Sequence, residues 1–196
     1  MKNLFKIIAA VTLCAAGLVN AQEVTYKPYM QYEYYTMENR KTGANSEMIM
    51  MAGGVSASDG WDYALALGPH QTKLGQEGSQ LTFVEARVRK TFSAIPGTNI
   101  KPYVFGLVGD KMTSTANAWH YLVDAGLIIP LNANFTGVVG GWYRDAFDKS
   151  DKMYQTRWSS SLIYHATKSD SVQLQFAQSE GDSALNQWRL SYKHSF

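Results

Sequence analysis

Leu190-Ser191-Tyr192-Lys193-His194-Ser195-Phe196 alternates apolar or aromatic side chains with polar ones up to its last residue. Carried back, the alternation puts Trp188, Leu190, Tyr192, His194 and Phe196 on one face. Gln187, Arg189, Ser191, Lys193 and Ser195 fall on the other. A period of two places successive side chains on opposite faces of a β-strand. Chain ends fray unless something ties them down, so a terminal strand built this way narrows the choice of fold sharply. An ordinary amphipathic edge strand is the competing reading of this segment taken alone.

The other end of the chain reads as a secretory signal peptide over residues 1–21. Lys2 and Lys6 form its positive head, Ile7 to Val19 its apolar stretch, and Val19-Asn20-Ala21 a small-residue cleavage pattern. Cleavage is expected before Gln22, leaving residues 22–196 as one domain. The apolar run is short for a spanning helix, which needs about 20 residues. The single Cys, Cys14, lies in this segment and follows Leu13, whereas a lipoprotein signal needs a small residue there. Without it the chain has no thiol for a disulfide or a metal. Of the 18 Lys and Arg residues two are in the signal segment, so 16 remain against 16 Asp and Glu. A neutral mature chain without a basic run argues against a nucleic-acid partner.

Ten alternating segments follow. The first, Tyr26 to Thr36, has Tyr26, Met30, Tyr32 and Tyr34 opposite Lys27, Gln31, Glu33 and Tyr35. The second, Ser46 to Ser56, is rich in Met and Gly and its facing is ambiguous. Asp59-Gly60 marks a tight turn. The third then sets Trp61, Tyr63, Leu65 and Leu67 against Asp62, Ala64, Ala66 and Gly68, and Gln71 to Gln80 reads as a polar loop. In the fourth, Leu81 to Phe92, Val84, Ala86 and Val88 oppose Glu85, Arg87 and Arg89. The fifth, Ile100 to Lys111, carries Tyr103, Phe105 and Leu107 as its apolar face. Past Thr113-Ser114-Thr115, the sixth runs from Ala118 to Leu131, with Trp119, Tyr121 and Val123 opposite His120, Leu122 and Asp124. Asn132-Ala133-Asn134 turns into the seventh, Phe135 to Phe147, containing Trp142, Tyr143 and Arg144. The eighth, Thr156 to His165, opposes Trp158, Leu162 and Tyr164 to Arg157, Ser159 and Ser161. The ninth opposes Val172, Leu174 and Phe176 to Ser171, Gln173 and Gln175, and the terminal segment is the tenth.

Ten strands over the mature length leave about 17 residues per strand and connection, against roughly 9–11 for a membrane-crossing strand. Twelve would be cramped, and eight would demand longer loops than the sequence offers. The expected fold is therefore all-β: an antiparallel up-and-down transmembrane barrel of ten strands, with eight or twelve as alternatives. A soluble sandwich competes. It would have to bury Arg87, Arg89, Gln173, Gln175 and Arg189 between packed sheets, where unpaired polar groups are costly. Inside a wet barrel the same residues are at home. Tyr26, Trp61, Phe92, Trp119, Tyr164 and Phe196, near strand ends, are candidates for interfacial girdles.

No hydrolase, phosphate-loop or metalloprotease motif is present, and neither a cofactor nor a metal is expected. The register puts Lys27, Arg87, Arg89, Arg144, Arg157, Arg189 and Lys193 inside, against Glu33, Asp62, Glu85 and Asp124. This modest basic excess would concentrate anions in a narrow passage; cross-strand bracing of the barrel is the alternative use. His120 and Asp124 share an inward face and could serve a lumen hydrolase, although solvation and charge pairing explain them as well. His194 falls on the outward face near a rim.

The segment from Trp188 to Phe196 resembles the closing strand of bacterial outer-membrane barrels. That resemblance implies that Trp188, Leu190, Tyr192 and Phe196 face lipid and are read by the barrel-assembly machinery. The Tyr-x-Tyr opening strand, Lys101-Pro102-Tyr103-Val104, Trp142-Tyr143-Arg144-Asp145 and Gly181-Asp182 are similar, loosely, to small monomeric porins, most of all the oligogalacturonate-specific group. The resemblance implies a basic lumen that passes acidic oligosaccharides. Ten strands rather than twelve is a departure from that group, and barrel diameter grows with strand number. The expectation is a non-enzymatic monomeric channel in the outer membrane for small anionic solutes or short acidic oligosaccharides. A closed-lumen structural or adhesive barrel and a barrel-embedded hydrolase are the rivals.

Overall fold

The computed structural model describes residues 24–72, 81–112 and 117–196. The signal segment 1–21 with Cys14, the cleavage point before Gln22, most of the 71–80 loop and Thr113-Ser114-Thr115 lie outside them. Ten strands follow in order: β1 Tyr26–Asn39, β2 Asn45–Ala57, β3 Trp61–Thr72, β4 Leu81–Thr91, β5 Lys101–Met112, β6 Asn117–Pro130, β7 Phe135–Ala146, β8 Gln155–His165, β9 Asp170–Gly181 and β10 Leu185–Ser195. Each pairs antiparallel with its sequence neighbours, and β1 pairs with β10, so the sheet closes into an up-and-down barrel with no free edge. Closure satisfies the row of N–H and C=O groups that an edge strand would leave open. No described helix is long and apolar enough to cross a membrane.

Alternation sets the register. In β10 Gln187, Arg189, Ser191, Lys193 and Ser195 turn inward against Met37, Tyr35, Glu33, Gln31 and Tyr29 of β1. The outward faces are apolar around the ring. Leu65 is 68% exposed and Leu174 50%, with Val123, Val139, Leu162 and Leu190 exposed alongside them. Such a continuous belt is unstable in water and natural in lipid. Tyr26, Trp61, Phe92, Tyr164 and Phe196 ring the near end, where β1 begins and β10 ends; Trp119, Phe147 and Tyr154 stand toward the far end. The Asp59-Gly60 turn forms as expected, with Gly60 at φ +94°, and a Cβ there would meet the Thr91 carbonyl oxygen at 2.3 Å.

Three local readings change. β2 is resolved: Met48, Met50, Ala52 and Gly54 face inward opposite Tyr35, Glu33, Gln31 and Tyr29. β3 runs to Thr72, past the expected loop start at Gln71, because Gln71 and Thr72 still pair with Glu47 and Ser46. In β5, Tyr103, Phe105 and Leu107 face the lumen, since they pair with Thr91, Arg89 and Arg87; Val104 and Val108 are the outward residues. Both faces of β5 are apolar, so alternation alone could not orient it. Tyr103 packs inward across Gly126 and Gly140, where a Cβ would lie 2.8 Å from its ring and 2.3 Å from its hydroxyl.

Candidate functional site

The lumen holds a cavity of about 810 Å³. Its lining extends from Asn39, Asn45 and Met153 at the far end to Ser169, Ser171 and Ser195 at the near end. Every charged residue assigned to the lumen from sequence is on the inner face, although Lys27 sits exposed at the near rim rather than along the cavity. Lys111 joins them. It shares a face with Tyr103, Phe105 and Leu107, and a Lys in that alternation was the available sign that the face is luminal.

On the β10–β1–β4 side the charges are tied together. Glu33, 2% exposed, accepts from the Tyr35 hydroxyl at 2.5 Å and the Gln31 amide at 2.8 Å. Arg87 Nη1 lies 3.2 Å from its Oε1 and Arg189 Nη1 at 3.6 Å. Arg87 also reaches Glu85, with Nη2 at 2.7 Å and Nε donating at 2.8 Å. Inward-facing Ala52, Ala66 and Gly68 on β2 and β3 leave room for these side chains to meet. Above them Tyr35, Met50 and Phe83 form an apolar plug on the same side.

Nearer the termini a second group forms around Asp62. It accepts from the hydroxyls of Tyr29 at 2.6 Å and Ser56 at 2.7 Å. Lys193 Nζ lies at 3.4 Å and Arg89 Nη2 at 3.7 Å. Lys193 also stands 3.5 Å over the Tyr29 ring, a cation–π contact that holds the ammonium in place.

The β5–β8 wall is different. Asp124 contacts the Tyr103 hydroxyl at 3.3 Å and, among the described residues, makes no ion pair. Arg144 and Arg157 likewise lack a carboxylate partner there. Their guanidinium carbons lie 5.7 Å and 4.9 Å from the Trp142 ring centroid, and Arg157 donates to Gln187 at 2.7 Å. Two carboxylates meet two arginines in the first group, and one meets two cations in the second. On this wall Asp124 is set against Arg144, Arg157 and Lys111. Most of the positive excess therefore gathers on one side, which a residue count could not show. Trp142 was not placed from sequence, yet its spacing of two from Arg144 already required the same face.

His120 and Asp124 both point inward, as expected. His120 is fully enclosed, edge-on to Phe83 and pressed against Gly109. Its Nε2 is 3.8 Å from Glu85, and neither ring nitrogen has a hydrogen-bond partner. A residue so enclosed cannot touch a solute in the lumen. His194 lies on the outward face at the near rim, with Nδ1 2.8 Å from Asp170; Tyr192 donates to the same oxygen at 2.6 Å. Trp188, Leu190, Tyr192 and Phe196 are all exposed on the outer surface.

No protein-family model matches the chain, and no curated protein matches it in sequence. Among solved structures it is similar to the NanC porin, at 9% identity and a TM-score of 0.52 over 84% of this chain and 100% of that one. It is similar also to the β domain of the Bordetella autotransporter BrkA, at 11% identity and a TM-score of 0.51 over 87% of this chain and 99% of that one. The KdgM porin in complex with disordered oligogalacturonate is a looser neighbour, at 9% identity and a TM-score of 0.45 over 88% and 99%. One architecture thus serves a porin and an autotransporter, so likeness at this level speaks to fold. The fold of this chain is that of the bacterial outer-membrane β-barrels, in a ten-stranded form.

Proposed function

We propose that the protein is a narrow outer-membrane channel that favours small anions and catalyses no reaction. The observation that carries this reading is the luminal cavity, lined by residues from both ends of the barrel, with its positive excess on the β5–β8 wall. A low-dielectric passage with one sign of fixed charge raises the local concentration of the opposite ion. The named charged lumen residues set selectivity in this reading. Arg144, Arg157, Arg89 and Lys111 contribute most, because their charges are least compensated. Small anionic solutes, and at the upper limit short acidic oligosaccharides, are the cargo class. Export follows cleavage before Gln22, the assembly machinery reads the terminal strand, and the barrel works as a monomer surrounded by outer-membrane lipid. Planar-bilayer recording of the detergent-refolded protein under a salt gradient tests it. A reversal potential on the anion side is expected, and an absence of conductance ends the channel reading.

The Glu33–Arg87–Glu85 ties and the Met50–Phe83 plug favour a second reading, a closed structural barrel. There the same recording gives no current while the barrel remains folded.

A further inference from the structure

Trp142 is the lumen-facing member of the chain's five tryptophans; Trp61, Trp119, Trp158 and Trp188 turn outward. Arg144, two residues on, and Arg157, its direct cross-strand partner on β8, are both held against its ring. Two guanidinium groups on one indole repel each other, and ring contact offsets this only in part. Neither has a carboxylate within ion-pair distance among the described residues. The Nε of each is buried from water and has no hydrogen-bond partner. Shielded as they are, these two atoms take no solute; the outer Nη groups remain, on the cavity that both residues line, and the planar guanidinium fork matches the geometry of an oxyanion. Asp124, the nearest carboxylate by register, is turned to the Tyr103 hydroxyl.

We infer that Trp142, Arg144 and Arg157 form a binding site for one oxyanion, a carboxylate or phosphate group, bridging the two guanidiniums beside the indole. This deepens the anion-channel reading, since it requires solvent to reach this wall. It does not require that the lumen conduct from end to end: an anion entering from one mouth would bind equally well. Chloride, spherical and without two oxygens to span the pair, is bound less well than a bidentate group.

The indole reports its own occupancy. The refolded full barrel is titrated with inorganic phosphate and, separately, with acetate, while tryptophan emission is followed at constant ionic strength maintained with sodium chloride. A saturable change is expected, absent from Trp142→Phe, which assigns the signal. Half-saturation should weaken at least about tenfold in Arg144→Gln and in Arg157→Gln, the order expected for losing one charge-assisted hydrogen bond. Lys101→Gln, at the exposed near rim, should leave it unchanged. Response to both titrants assigns a general oxyanion site, and response to one identifies the group it prefers. Heat-modifiable migration checks that each variant folds. Should either Gln variant fail that check, Arg144→Lys or Arg157→Lys replaces it, keeping the charge but losing the fork, again with weakened binding. A linear response, an equal response to chloride, or a saturable one that survives in folded Arg variants overturns the site. Saturable binding in a barrel without conductance would uphold the site and refute the channel.

Discussion

Glu33 and Arg87 meet inside the barrel although two strands, β2 and β3, separate theirs. The carboxylate belongs to the first strand and the guanidinium to the fourth, and they lie 3.2 Å apart. Glu33→Gln leaves Arg87 and Arg189 short of a counter-charge in an almost fully enclosed place. Removing one partner of a buried pair costs about 3 kcal/mol or more. The unboiled, folded band on a denaturing gel should therefore convert at lower temperature. In a double-mutant cycle with Arg87→Gln, the second change should cost less than it does alone.

Arg87 and Arg89 stand two residues apart on one strand but should respond differently. Arg87 is bonded to two carboxylates, whereas Arg89 lies 3.7 Å from Asp62 and keeps 43% of its side chain exposed. Arg87→Gln should chiefly lower the melting temperature. Arg89→Gln should leave it within about 0.5 kcal/mol equivalent and reduce anion preference in bilayer recordings. Equal melting losses in the two variants would contradict this division.

Tyr103 lies so close over Gly140 that any side chain there must move it. Gly140→Ala places a Cβ 2.3 Å from the Tyr103 oxygen and should break the contact with Asp124. Overpacking of this kind costs roughly 1–3 kcal/mol. Combining it with Tyr103→Phe, which removes the clashing oxygen, should restore part of the loss in the same gel-shift melt.

Phe196 donates its N–H to the Pro28 carbonyl at 3.0 Å and packs its ring against His194 at 4.8 Å. Its removal should reduce the heat-modifiable fraction recovered from outer membranes. Purified barrel that does assemble should retain the parent's ion selectivity. Unchanged assembly would show that the residue is dispensable.

Architecture was legible because most strands alternate cleanly enough to orient, and the two that do not, β2 and β5, each pair with one that does. Trp61 to Leu67 and Trp188 to Phe196 needed no tertiary information at all. β5 failed because Tyr103, Phe105 and Leu107 are as apolar as Val104 and Val108; its neighbour's Arg87 and Arg89 decided the matter. The luminal charges were equally legible as a set, since facing follows from parity. Their pairing was not. Which cation reaches Glu33 depends on the small inner residues of β2 and β3 and on stagger between distant strands, and neither is a local property. For the same reason His120 looked available to chemistry until Phe83 and Gly109 enclosed it.

The seam between β1 and β10 also governs how the molecule must come into being. Tyr29 pairs with Ser195, so the first strand made waits for the last before it acquires both neighbours. Until then every partial sheet has two open edges, each a template for another chain. Contacts this distant along the sequence form slowly, so the open edges persist until the last strand is in place. Closing the ring removes both edges in one step, so protection against pairing with another copy arrives all at once, with the last strand, and not gradually along the chain.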